Sequence, residues 1–175
     1  MLKISDFVQD RPWKVIDEPS IAPIPDLIDE VVVEPLIFRK DGRGQLVELI
    51  SQRDGAVEEV VHVYQVFAEP GSVRAWVYHE RQEDRLCYTQ GQFRLVLWDI
   101  RENSPTKGQI NVFDVGAANP CRITIPRFVV HGLKNIGKEI ASFVNCPTSW
   151  YDPNNPDKSR LPIDHPGVPY SFETE

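Results

Sequence analysis

Residues 74–83 read RAWVYHERQE, and the phase of this run decides the fold. Residues two apart on a strand share a face, so an extended segment here aims Val77 and His79 the same way, with Glu83 in the turn beyond. A second stretch, PRFVVHGLKN at 126–135, supplies His131 from a partner strand. One closed β cavity holding both runs brings the two imidazoles together, and imidazole is the side chain suited to proton transfer near neutral pH.

The rest of the chain supports such a framework. Fifteen prolines and ten glycines interrupt 175 residues, which leaves little room for long helices. Between the breaks lie short alternating or β-branched runs. QLVELIS (45–51), EVVHVYQVFA (59–68), SVRAWVYH (72–79) and RLCYTQ (85–90) come first; FRLVLWDI (93–100), QINVFDV (109–115), RITIP (122–126) and ASFVNC (141–146) follow. Eight or so strands with tight turns predict an all-β double-sheet jelly roll whose open mouth binds a ligand. Residues 1–35 read as an N-terminal extension with one strand, 36–146 as the barrel, and 147–175 as a tail of irregular structure or a short helix. Trp150, Tyr151, Tyr170 and Phe172 predict that this tail docks.

A net charge of −7 excludes nucleic acid and anionic membrane surfaces as partners, although local arginines still permit an anionic small molecule. Three cysteines without a C-x-x-C pair read as reduced thiols in a cytoplasmic protein. No apolar run reaches the eighteen or so residues that span a bilayer.

Gly71, His79, Glu83 and Gly91, with Pro126, His131 and Asn135, resemble the two signatures of the cupin superfamily. Val77 stands at the first signature histidine, and Pro120 and Phe128 stand at two signature glycines. The resemblance implies that a metal, if bound, would take His79, Glu83 and His131; with valine in the fourth place no metal or other cofactor is expected.

A closer resemblance runs from about residue 36 to the C-terminus. FRKDGRGQLVE (38–48), VRAWVYHERQEDRLCYTQG (73–91), LWDIRENSPTKG (97–108), IPRFVVHGLKN (125–135), ASFVNCPTSWYDPNNPD (141–157) and IDHPGVPYSF (163–172) are similar to the dTDP-4-dehydrorhamnose 3,5-epimerase family. That implies a cupin jelly roll, a homodimer with exchanged strands, and a nucleotide-linked 4-keto-6-deoxy sugar as ligand in polysaccharide biosynthesis. It assigns nucleotide contacts to Arg43 and Glu48 and a substrate contact to Arg74, with Arg85 a further candidate. Leu46 takes the place of a base-stacking aromatic. The family's basic histidine falls at Val77, its lysine at Asp84, and its acidic tyrosine near Val144 and Asn145.

The expectation is an epimerase or isomerase that uses His79 and His131 for proton transfer. Its alternatives are a sugar-nucleotide-binding cupin without turnover and a metal-dependent cupin of another reaction class. Tyr64, Tyr78 and Tyr88 are substitute acids if they are not simply packed; Asp99 and Arg101 fix a turn; His62 and His165 have no assigned chemistry.

Overall fold

The computed structural model describes residues 3–9, 24, 26–51 and 60–173. Among these residues there are twelve strands, a single 3-10 turn at Ile4–Asp6 and no α-helix. The strands are β1 (Val32–Pro35), β2 (Phe38–Asp41), β3 (Gly44–Val47), β4 (Tyr64–Ala68), β5 (Val73–Tyr78) and β6 (Asp84–Gln90). After them come β7 (Gln92–Asp99), β8 (Ile110–Gly116), β9 (Cys121–Ile125), β10 (Val129–Asn135), β11 (Ala141–Asn145) and β12 (Ser159–Arg160). One sheet runs β1-β9-β6-β11-β4, the other β12-β5-β10-β7-β8, and β2-β3 is a separate hairpin. All pairings are antiparallel. The expected jelly roll is the fold observed.

Alternation explains which side chains fill it. On β6, Leu86 and Tyr88 face the interior with Phe93, Leu95 and Leu97 of β7, Ile123 and Ile125 of β9, and Phe143 of β11. Fully burying one such side chain is worth roughly 1.5–3 kcal/mol. The second sheet has a covered outer face as well. There Trp76, Val96 and Val130 pack under Phe172, with Tyr170 alongside. The Trp76 and Phe172 rings stack at 5.1 Å, and the indole Nε1–H donates to the carbonyl of Ile163. Half of the expected tail aromatics therefore dock, whereas Trp150 and Tyr151 stay exposed.

Two backbone positions are set by sterics. Gly91, at φ +74°, joins β6 to β7, and a Cβ there would lie 2.3 Å from that of Ala141. Phe128 adopts φ +61°, the left-handed region that favours glycine. This is the place where the cupin signature has glycine. Its N–H donates to the His79 carbonyl at 2.8 Å and its ring packs near Tyr78, which hold the strained turn in place.

Strand limits differ from expectation in several places. QLVELIS is ordered as a strand only to Val47; in EVVHVYQVFA the strand starts at Tyr64, and Glu59 lies outside the described residues. Strand β10, from which the reading takes His131, is buried on both faces and so lacks the alternation that marks the other strands. The tail contributes a two-residue strand, β12, and no helix.

Candidate functional site

The two histidines read from the spacing do meet. Val77 on β5 lies directly across from His131 on β10, so they share the inner face, and His79 follows two residues on. The ring centroids of His79 and His131 are 5.7 Å apart, and both residues are buried.

The acid between them is Asp84, not Glu83. His79 Nε2 stands 3.3 Å and His131 Nε2 3.4 Å from the same carboxylate oxygen, Asp84 Oδ2. The other oxygen accepts from the Gln82 side-chain amide at 3.0 Å. The strand phase explains the correction: Asp84, Leu86 and Tyr88 alternate inward, while Glu83 precedes the strand and uses its N–H on Thr148. The ligand set His79, Glu83, His131 is therefore replaced by His79, Asp84, His131, whose three donor atoms lie within 4.8 Å of one another.

The hydrogen bonds behind the rings define their chemistry. His79 Nδ1 faces the backbone carbonyl of Asp157, and His131 Nδ1 faces that of Val129 at 3.2 Å. A ring nitrogen beside a carbonyl carries hydrogen, so Nε2 is the atom at which each imidazole gains or loses a proton. Burial alone pushes Asp84 upward, but contact with His131 and His79 outweighs it and holds the carboxyl well below its usual range. Burial likewise pushes His79 down; the Asp84 carboxylate, with help from the Asp157 carbonyl, reverses this and raises the imidazole. The ring is thus tuned toward holding a proton.

Asp157 supports this arrangement with its side chain too. Its carboxylate accepts the N–H groups of Glu80, Arg81 and Gln82, at 3.0, 2.9 and 2.9 Å, and so anchors the turn after His79.

His79 forms part of the wall of a cavity of about 420 Å³. Tyr64 and His62 of the β4 segment, Lys158, and the exposed rings of Trp150 and Tyr151 border it as well. A larger groove of about 1020 Å³ runs over β1, β8 and β9, away from the histidines; it has apolar walls and carries none of this chemistry. Around the working cavity, Lys158 feels the charges of Arg160 and Arg74. Arg160 lies opposite Val77 and so shares the inner face. None of these three cations has a carboxylate ion-pair partner among the described residues.

The remaining candidates are placed elsewhere. Arg43 sits on the exposed β2–β3 hairpin, where its guanidinium meets Asp41 at 2.6 Å; Glu48 follows β3 and approaches Arg39 at 3.7 Å. Neither touches the cavity that His79 lines. Arg85 is buried but alternates to the opposite side of β6 from Asp84, toward Cys146. His165 caps its own loop through Gly167. Asp99 accepts from Arg101, Ser104 and Thr106, a turn-fixing role as expected.

Two participants escaped the sequence reading. Asn145 is fully buried; its carbonyl oxygen accepts the Arg85 N–H at 3.0 Å, and its amide nitrogen donates to the Tyr64 hydroxyl at 2.8 Å. Lys158 was also missed. Its only signal was one basic residue next to Asp157 in a polar tail.

Comparison with known proteins identifies the family of the chain. The family model for the polysaccharide biosynthesis C-terminal domain matches residues 39–159. The spore coat polysaccharide biosynthesis protein SpsL of Bacillus subtilis (strain 168) is 33% identical over 149 residues, 85% of this chain and 99% of that protein. The probable low-salt glycan biosynthesis epimerase Agl13 of Haloferax volcanii is 38% identical over 139 residues, 78% of this chain and 89% of that one. Among solved structures, a dTDP sugar isomerase from Desulfovibrio desulfuricans G20 superposes with a TM-score of 0.81 at 22% identity, covering 88% of this chain and 97% of that one. Solved dTDP-4-dehydrorhamnose 3,5-epimerases share the fold as well. The chain belongs to the polysaccharide biosynthesis C-terminal domain family.

Proposed function

We propose that this member of the polysaccharide biosynthesis C-terminal domain family is an epimerase or isomerase of a nucleotide-linked 4-keto-6-deoxy sugar, acting in surface glycan synthesis. The observation that carries the reading is the buried His79–Asp84–His131 trio at the edge of a sugar-sized cavity. Epimerisation next to a ketone needs a base for the C–H proton and stabilisation of the enolate. His79 takes that proton at Nε2, and the Asp84 carboxylate stabilises the imidazolium. His131, at the same carboxylate oxygen, shares the charge and holds Asp84 in place. Lys158, Arg74 and Arg160 give the mouth the positive potential that a diphosphate requires. Trp150 and Tyr151 offer flat apolar surface to a sugar or base.

The cytoplasm, where nucleotide sugars are made, fits three buried free cysteines. No helix among the described residues is long and apolar enough to cross a membrane. A homodimer is part of the proposal, because Arg43 and Glu48 lie on an exposed hairpin that could serve a second subunit's cavity.

The test is incubation with dTDP-4-keto-6-deoxyglucose in D₂O. Deuterium entering ring carbon C3 or C5 supports the proposal, and loss of exchange in His79→Ala locates it. Tight binding of the sugar nucleotide without exchange would instead establish a binding protein without turnover. A metal-dependent reading is favoured by one feature, the convergence of three donor atoms within 4.8 Å. Stoichiometric divalent metal in chelator-free protein, lost in His131→Ala, would replace proton transfer with that chemistry.

A further inference from the structure

Inversion at a carbon requires a second proton carrier on the face opposite the base. We propose that Tyr64 is that carrier, an acid delivered from β4 and oriented by Asn145; the proposal rests on the epimerase reading above.

The geometry selects this hydroxyl among the tyrosines. Tyr88 is fully buried within the interior core and its oxygen has no partner. Tyr78 packs on the outer face of the second sheet with Trp76 and Phe172. Tyr151 is exposed at the rim. Tyr64 alone is half-buried, on the inner side of the first sheet, and borders the cavity that His79 borders from the other sheet. A ring held between the two walls would have imidazole on one side and phenol on the other.

Asn145 fixes which way the phenol works. Register places Asn145 directly across from Tyr64. The Asn145 carbonyl oxygen is committed to the Arg85 N–H, so its amide nitrogen must face the phenol, and it does so as donor. The Tyr64 oxygen is thereby an acceptor in this bond. Its own hydrogen has no acceptor among the described residues and is free to be given to a ligand. Asn145 also prepares for the product of that transfer, because an amide N–H beside the oxygen stabilises the phenolate. Burial, reinforced by the charge of Asp84, raises the phenol above its ordinary range and keeps it protonated at working pH, while the Asn145 bond opposes this in part.

The step balances as follows. The substrate C–H bond breaks, its proton goes to His79 Nε2, and the electron pair enters the enolate. The Tyr64 O–H bond then breaks as its proton forms a new C–H bond on the opposite face. The enolate returns to a ketone and Tyr64 is left as phenolate. Water protonates the phenolate and accepts the proton from the imidazolium, which restores the enzyme.

Tyr64→Phe separates abstraction from delivery while keeping the ring. With the keto sugar in D₂O, the expected result is continued exchange at the abstracted carbon with retained configuration. Net epimer formation falls on the order of 10²-fold or more. Asn145→Ala, which keeps the hydroxyl but loses its orienting donor, should lower epimer formation less than Tyr64→Phe does. Circular dichroism checks that both variants are folded. Epimer formed by folded Tyr64→Phe at the wild-type rate overturns the proposal, as does parallel loss of exchange and inversion in both variants. Wild-type protein that exchanges no deuterium would fail the epimerase reading itself, a different outcome from either.

Discussion

Two buried aspartates in this barrel meet opposite fates. Asp99, at the end of β7, accepts from the Arg101 backbone and guanidinium, from Ser104 at 2.6 Å and from Thr106 at 2.7 Å. Burial pushes it upward, but those donors, Arg101 first, hold it far below the ordinary carboxylate range. Asp84, at the start of β6, is equally buried, yet two of its neighbours are imidazoles that can lose their protons. A carboxylate ringed by permanent donors locks a loop. One ringed by titratable donors stores a proton that chemistry can use.

The comparison can be broken most forcefully at the histidines. His79→Ala should lower turnover on the order of 10²–10⁴-fold, measured as epimer formed per unit time, with the folded state preserved. His131→Ala should act in the same direction and also leave Asp84 short of one partner. Asp99→Ala should do the reverse. Removing one member of a buried ion pair costs about 3 kcal/mol, seen as a lower denaturation midpoint, whereas folded enzyme keeps its rate. An equal loss of activity in Asp99→Ala and Asp84→Asn would erase the distinction.

A smaller effect sharpens the contrast by pH. Asp84 raises the His79 imidazole, and a base must be unprotonated to act, so kcat/KM should rise with pH through a limb above about 6.5. Asp84→Asn should slow the enzyme and move that limb to lower pH; a limb that stays put would remove Asp84 from the base's control. The stability given by Asp99 has its own window. A folded carboxyl below its unfolded value contributes fully above about pH 3.9 and loses that contribution as pH falls further. Smallest of all, Arg43→Ala should leave the denaturation midpoint of the monomer almost unchanged, since its bond to Asp41 is exposed. A large effect on substrate KM from that change would bring the hairpin to a second subunit's cavity.

Much of the barrel could be read from alternation: FRLVLWDI is β7 almost residue for residue, and RITIP is β9. The meeting of His79 and His131 was legible because each sits at a spacing that fixes its face. Which acid joins them was not, since Glu83 and Asp84 are adjacent and only the phase of β6 decides between them. The Tyr64–Asn145 pair was still further out of reach. It exists because β4 and β11 are neighbours, and strand order is a tertiary fact that no local pattern encodes. Asn145 read as a lost tyrosine, when in the fold it holds another one.

The turn anchored by Asp157 ties catalysis to the order of synthesis. The carbonyl that orients the ring at position 79 is 78 residues downstream, on the segment that becomes β12. On the ribosome, both imidazoles emerge well before anything can select their tautomer. A chain cut shortly before Asp157 would retain His79 and His131 and yet present an unaimed base, so a proteolytic nick in this stretch would silence the protein while leaving most of its β-sheet standing.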